Sequence, residues 1–465
     1  MRPAFVVVSL CVLVSPGLAL AQPAAAPPAK ARPWRADQAL GFEWLRFGLE
    51  HRSRLEHLSG DFRSGAPDSA TVLSMKTLLS AELVLPPLVL GAELIDSRAY
   101  GTEGARLNTT IVDPLDLLQL YGSLRGKSVL LEGDATALTV GRITLDVGSR
   151  RLVARNDFRN TVNAFTGVDA QWMSPKADLV RAFAVVPVVR LPTETAAVKA
   201  NRPELDRENF AAVLWGVFAA SRPLGPRIVV EGYLLGLHET DSAQAASSNR
   251  RLFTPGVRVL RAPAAGSFDF QLEVMGQFGT SRASAAATDT TDLRHLAFSM
   301  HASVGYRFAV WGAPRLVAQY DFASGDRDGR DGENNRFDTL FGARRFDFGP
   351  TGIYGALARS NMNSPGLRLE VAPHSTLDAF IAYRPAFLAS ARDGWTTAGL
   401  KDPTGARGSF LGHQVEVRVR WNVLGPNFGV DLGGACLFGG TYAGVVPNAR
   451  AEPAVYAYAQ LTGRL

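Results

Sequence analysis

From residue 413 the chain alternates strictly, with Val415, Val417, Val419 and Trp421 separated by Gln414, Glu416, Arg418 and Arg420. Successive side chains of an extended strand point to opposite faces, so a period of two gathers the apolar set on one side; a helix would spread it around its circumference. The same rhythm interleaves Leu45, Phe47 and Leu49 with Arg46, Gly48 and Glu50, and sets Gly141, Ile143, Leu145 and Val147 against Arg142, Thr144 and Asp146. Segments of this kind predict strands over 42–57, 70–84, 87–97, 115–125, 136–147, 164–174, 178–191, 208–221, 226–240, 250–262, 266–280, 292–310, 314–323, 367–373, 376–390, 411–423, 428–442 and 452–464. The expected number is eighteen, with sixteen as the alternative because 115–125 and 367–373 carry the weakest pattern.

The links between these segments take turns. Short ones hold Pro86-Pro87, Ser174-Pro175, Pro223 to Pro226, Pro263, Gly312 to Pro314, Pro373 and Gly425-Pro426, residues that fix φ or lack a donor. Long ones cover 58–69, 98–114, 148–163, 192–207, 241–249, 281–291, 324–366, 391–410 and 443–451 and are rich in Asp, Asn, Ser and Gly. Tight turns on one rim and loops on the other predict an all-β fold, a transmembrane antiparallel up-and-down β-barrel of the bacterial outer-membrane type, with both termini on the turn side. Closure is forced by hydrocarbon, where a sheet edge would leave N–H and C=O groups unpaired. Sixteen to eighteen strands enclose more space than wall side chains fill, so an aqueous channel is expected.

Mean hydropathy is +0.03, and the longest near-apolar stretch, Phe210 to Ala220, is too short for a membrane helix. The start of the chain pairs Arg2 with the apolar run Phe5 to Val14 and the small-residue site Ala19-Leu20-Ala21, which predicts a signal peptide over 1–21, cut before Gln22. An Ala/Pro-rich lead-in over 22–40 then precedes a barrel over 41–465. Cys11 lies inside the signal without the small residues that precede a lipid-modified cysteine, so Cys436 alone remains and no intramolecular disulfide is expected. Tyr456 and Tyr458 in the last segment are expected at the interfacial aromatic belt.

Without Arg2 the chain carries 48 basic and 43 acidic residues, a net charge of +5, and only six of the basic residues are lysine. On amphipathic strands these charges face the bore. Arg46, Glu50, Arg52 and Arg54 oppose the apolar row of the first segment, Arg142 and Asp146 are expected inward from 136–147, Arg368 and Glu370 from 367–373, and Glu416, Arg418 and Arg420 from 411–423. Such a wall serves either as a cross-strand lattice of ion pairs or, where arginine is in excess at the narrowest point, as an anion path, since a guanidinium fork grips both oxygens of a carboxylate. The densest basic run follows 136–147, where Gly148-Ser149-Arg150-Arg151 leads through Arg155 to Arg159 and Asn160. That loop either folds into the mouth or meets lipopolysaccharide phosphates outside it.

The stretch Leu138-Thr139-Val140-Gly141-Arg142, then Asp146-Val147-Gly148-Ser149-Arg150-Arg151, Asp157-Phe158-Arg159-Asn160 and Phe165-Thr166-Gly167-Val168, resembles the signature of alginate-export outer-membrane proteins. Glu93-Leu94-Ile95-Asp96-Ser97-Arg98 and Tyr320-Asp321-Phe322-Ala323-Ser324-Gly325-Asp326 are similar to two further blocks of that family. The resemblance implies an eighteen-stranded barrel with an electropositive constriction that passes polyuronate, and pore-lining or pore-mouth roles for Arg98, Arg142, Arg150, Arg151 and Arg159. Exporters of this family can carry a long periplasmic plug at the eighth turn, which here is only Leu424-Gly425-Pro426-Asn427.

The expected function is therefore an outer-membrane channel for acidic oligo- or polysaccharide, with a general or small-anion porin as the alternative and a lipid-modifying enzyme as a remote one. Its expected partners are outer-membrane lipid and lipopolysaccharide, acidic polysaccharide or small anionic solutes, and a periplasmic secretion partner. No catalytic, nucleic-acid or cofactor motif is found. The acidic loop Asp326, Asp328, Asp331, Glu333 has Arg330 and Asp331 where a helix-loop-helix calcium site needs a ligand and a glycine, and reads as a solvated tip. His51, His57, His295 and His301 show no metal spacing.

Overall fold

The computed structural model describes residues 35–39, 41–225, 227–242, 246–445 and 452–465. The expected signal peptide over 1–21 and most of the expected lead-in over 22–40 lie outside the described residues, as do Pro226 in one turn and 446–451 in the last long link.

Eighteen strands form one closed antiparallel barrel. They are β1 (Leu45–Ser59), β2 (Ser69–Leu85), β3 (Leu88–Gly101), β4 (Asp113–Lys127), β5 (Ala135–Ile143), β6 (Phe165–Met173), β7 (Leu179–Val189), β8 (Ala212–Ala220) and β9 (Ile228–Glu239). The circuit continues through β10 (Arg251–Arg261), β11 (Ser267–Ser281), β12 (Leu293–Arg307), β13 (Arg315–Ala323), β14 (Met362–His374), β15 (Leu377–Phe387), β16 (Phe410–Trp421), β17 (Phe428–Gly439) and β18 (Ala454–Arg464). Each strand pairs with its sequence neighbour, and β1 seals the seam against β18 from Glu50↔Arg464 to Ser59↔Val455, so no ladder is left open to lipid. Every expected strand is present, including the two weakest, which extend to 113–127 and 362–374.

Alternation sets the two faces. On β1, Leu55 is half exposed, while Arg52, Arg54 and Glu56 are buried on the inner row. Leu79, Leu94, Val217, Leu272, Leu296 and Val417 continue the outer apolar band. Trp44, Phe268, Trp311 and Trp421 stand exposed at the turn rim, where amphipathic rings suit the lipid headgroup level. Among the described residues no helix is long and apolar enough to cross a membrane.

Two sequence expectations about facing are corrected. The run Ile143, Leu145, Val147 does not face lipid: β5 ends at Ile143, its lipid row is Leu138 and Val140, and the three apolar residues are buried inside the barrel with Phe165. Arg142 therefore stands on the row of Leu138 and Val140, opposite Leu120, and Asp146 lies in a loop beyond the strand. Tyr456 and Tyr458 are not belt residues either; both are buried and donate inward, to Glu56 at 2.7 Å and to Asp431 at 2.9 Å.

The expected asymmetry of the rims holds, and two of the long loops turn back into the bore. L3 (144–164) and L7 (324–361) pack their apolar residues on the inner wall, with Leu145, Val153, Phe337, Phe348 and Tyr354 buried in the same cluster as Leu214, Leu235 and Tyr456. The bore is narrowed by chain that a count of wall side chains leaves out.

Candidate functional site: the constriction between two inward loops

Wall cations position L3 through its backbone. Arg52 donates to the carbonyls of Asp157 (2.7 Å) and Arg159 (2.6 Å), Arg54 to that of Phe158 (2.6 Å), and Lys76 to that of Asp157 (3.2 Å). Three consecutive carbonyls are thus turned toward β1 and β2 and supply acceptors to buried cations that lack a strong carboxylate partner; Glu56 is 3.8 Å from Arg54, whose Nε and Nη1 remain without a hydrogen bond. The Phe158 ring lies between Arg54 and Arg345, their guanidinium carbons 4.4 and 4.6 Å from its centroid. Asn160 fixes the end of the run, its amide donating to the carbonyls of Met75, Arg98 and Ile111.

L7 then lies alongside L3. Phe341 N–H donates to Leu152 O and Ala343 N–H to Arg150 O, both at 2.9 Å, and Ala154 N–H donates to Phe341 O at 3.2 Å. Gly342 permits this approach, because a Cβ there would collide with the Arg151 carbonyl. The short helix α1 (Arg345–Phe348) follows and carries Asp347 to the centre of a buried ionic network.

Arg151 spans Glu273 of β11 at 2.6 Å and both Asp347 oxygens at 2.8 and 2.9 Å. Asp347 also accepts from Arg359, and Arg384 joins Asp321 (3.2 Å), which pairs with His301 at 2.7 Å. Burial alone would raise the Asp347 carboxyl, yet Arg151, with His301 and Arg359, holds it well below the usual carboxylate range. Against the same burial, Asp347 and Glu273 raise the Arg151 guanidinium. The network stitches L3 and L7 to the wall of β11–β15. Beside it a polar cavity of about 180 Å³ is lined by Asp269, His301, Gln319, Arg315, Arg368 and Glu370.

Three loop arginines differ from these. Among the described residues no carboxylate lies within 4.0 Å of Arg150, Arg159 or Arg344. Burial and then Arg190 push Arg159 down to about 10, and burial followed by Arg159, Arg63 and Arg359 pushes Arg344 down to about 9. Arg150 is exposed, 5.4 Å from the Phe346 ring. L3 and L7 thus carry positive charge that no neighbouring carboxylate pairs with, and they set Arg344 beside Arg159.

The other residues anticipated from sequence divide by their partners. Arg46 faces Glu82 at 3.6 Å, Glu50 meets Arg464 at 2.8 Å, Arg418 chelates Asp431, and Arg420 meets Asp378 at 3.0 Å. Glu416 holds Arg345 of L7 at 2.6 Å, and Asp146 accepts from the Arg155 amide at 2.8 Å. Arg142 is held by Glu208 (2.8 Å) and Asp116 (3.3 Å). Arg98 does not face the bore: it lies on the outer row with Leu94 and Tyr100, opposite Met75, and pairs with Asp96 at 2.9 Å. Arg344, Asp347, Arg359, Lys76 and Glu273 were not anticipated. The signal for the first three was the apolar and aromatic content of 341–358, unusual for a solvated loop.

A closed eighteen-stranded barrel with a lipid-facing apolar band and inward loops defines an outer-membrane channel. The family model for alginate export matches residues 43–454, and the chain belongs to that family. Among solved structures it is similar to Pseudomonas aeruginosa OccK2 (OpdF) in complex with glucuronate, at 13% identity and a TM-score of 0.56 over 90% of this chain and 96% of that one. Pseudomonas aeruginosa OccK3 (OpdO) matches at 14% identity and 0.57 over 90% and 95%, and Acinetobacter baumannii OccAB1 at 12% and 0.56 over 91% and 97%. No curated protein matches the sequence.

Proposed function

We propose that the channel passes acidic saccharides of the uronate type, using Arg150, Arg159 and Arg344 as the anion-attracting face of its constriction. The observation that carries this reading is the contrast inside the bore. Most wall arginines, among them Arg52, Arg54, Arg181, Arg258, Arg315 and Arg418, are matched with carboxylates or carbonyls, whereas these three loop arginines have no acid beside them. A carboxylate arriving there meets exposed Arg150 and, deeper in, the Arg159 and Arg344 guanidinium groups already stripped of much of their water, where charge–charge attraction is stronger than in bulk. Membership of the alginate export family and the glucuronate in the OccK2 structure support the same solute chemistry.

The inward packing of L3 and L7 favours a second reading, a porin for small anions or short uronates rather than for long polymer. Liposome swelling and planar-bilayer reversal potentials separate the two. Glucuronate and uronate oligomers are expected to permeate faster than neutral sugars of equal size, with anion preference falling in Arg159→Gln/Arg344→Gln. Cation preference in the unaltered channel would refute both readings, and passage of glucuronate with exclusion of oligomers would select the second.

A further inference from the structure

Three carboxylates converge near the loop rim. Asp113 and Asp116 stand at the start of β4, and Asp206 arrives from L4 (190–211). All three are buried, and each offers an oxygen within 4.8 Å of the others. Two have partial employment: Asp116 accepts the Asp206 amide at 3.0 Å and faces Arg142 at 3.3 Å, and Asp206 accepts the Leu191 amide at 2.7 Å. Asp113 has none. It is 1% exposed, and neither of its oxygens has a hydrogen-bond partner.

A buried carboxylate with both oxygens unsatisfied, aimed at two further carboxylates, is costly unless a cation or proton sits among them. The surrounding charges do not fill that place. Arg142 is engaged by Glu208 and Asp116, and Arg190 spends its Nε and Nη1 on the carbonyls of Thr109 and Val162 and on Asn163. Arg190 and Arg142 act on Asp113 only through space, without a hydrogen bond to it, and Asp96 adds a further negative charge nearby. We propose that Asp113, Asp116 and Asp206 bind a divalent cation of the calcium class that clamps L4 to the barrel wall. The donors are all hard carboxylate oxygens with no histidine or cysteine, which disfavours zinc, and calcium tolerates an irregular protein cage better than magnesium does. The clamp sits where three loops meet. Arg190 of L4 grips L2 (102–112) and L3 at Thr109, Val162 and Asn163, and Asn201 of L4 exchanges two hydrogen bonds with Ala99, at 2.8 and 2.9 Å. A cation there fixes L4 and, through Arg190, the outer end of L3, whichever solute the channel carries.

The full barrel in detergent, stripped with EDTA, tests this by calorimetric titration with calcium chloride and, in parallel, magnesium chloride. One calcium per chain is expected, with Kd on the order of 10⁻⁵–10⁻³ M, the span from sensors to extracellular modules. Asp113→Asn and Asp206→Asn should each weaken it at least tenfold, while Asp328→Asn/Asp331→Asn in the exposed acidic tip should not. Calcium should also slow protease cutting within L4 in the unaltered chain only. Asp206 lies outside the β-ladder, so its variant remains informative if Asp113→Asn fails to fold; heat-modifiable gel migration reports folding. The proposal is overturned if the unaltered chain shows neither heat nor protection at millimolar calcium, the result of carboxylates sharing a proton. It is equally overturned if both Asn variants keep the original affinity.

Discussion

Replacing Asp347 by Asn should release L7 without opening the barrel. The carboxylate accepts from Arg151 at 2.8 and 2.9 Å and from Arg359; without its charge Arg151 keeps only Glu273, and Arg359 keeps only the Arg151 carbonyl. Removing one partner of a buried ion pair costs about 3–5 kcal/mol, and since Asn still accepts a hydrogen bond the lower figure applies. About 3 kcal/mol shifts a local equilibrium by roughly two powers of ten at 1.36 kcal/mol per tenfold. None of that energy belongs to the strand ladder, so the loss falls on docking of L7. Single-channel recordings of Asp347→Asn should show frequent excursions to higher conductance, while the temperature at which the barrel loses its compact gel migration stays close to that of the parent. Unchanged conductance and noise would refute the assignment, as would a fall in barrel melting without any change in current. The pH dependence follows from the depressed carboxyl: its stabilisation is complete above the unfolded value of about 4 and is lost only as pH falls through the folded value below it. Lowering the pH from 7 to 5 should therefore leave L7 closed.

Gly342→Ala should act on the same contact from the backbone side, since its methyl meets the Arg151 carbonyl; excursions like those of Asp347→Asn are expected, and parent-like current would show that L3 and L7 separate without consequence. Gly256→Ala should displace the Tyr233 ring, which covers that glycine and donates to Glu273 at 2.7 Å, costing about 1–3 kcal/mol as an overpacked site and lowering the gel-shift temperature. Arg98→Gln should leave anion selectivity intact, because Arg98 pairs with Asp96 on the outer face with about a third of each side chain exposed, and such a pair contributes less than about 1 kcal/mol. A loss of selectivity in Arg98→Gln would contradict its placement.

The barrel was legible because lipid enforces the two-residue period wherever a strand crosses it: Val417, Val419 and Trp421 face out as their spacing requires. The reading failed where that enforcement ends. Ile143, Leu145 and Val147 keep the alternation beyond the last residue of β5, but their apolar surroundings are L3 and the inner wall, so the same pattern points the opposite way. Tyr456 and Tyr458 look like belt residues until Glu56 and Asp431, distant in sequence, supply their acceptors. The basic run of L3 was visible, and so was the option that it enters the mouth. Its counterpart was not, because the length and polar tip of the link 324–366 mark it as a loop, whereas the Phe, Tyr and Ala content of its second half gives no sign of which wall it packs on. Pairing of Asp113 with Asp206 likewise depends on how L4 returns, which no local spacing encodes.

The seam between the first and last strands bears on how the protein is made. Glu56 of β1 takes a proton bond from Tyr456 of β18 and another from the Ile353 amide of L7, while Tyr354 reaches Gln414 and Arg345 reaches Glu416, both on β16. Part of the landing ground of L7 is therefore assembled from opposite ends of the polypeptide, and it joins the anchorage of Asp347 on the middle strands only when the cylinder is sewn shut. The last stitch that secures the wall therefore also completes the bed on which the inward loop rests.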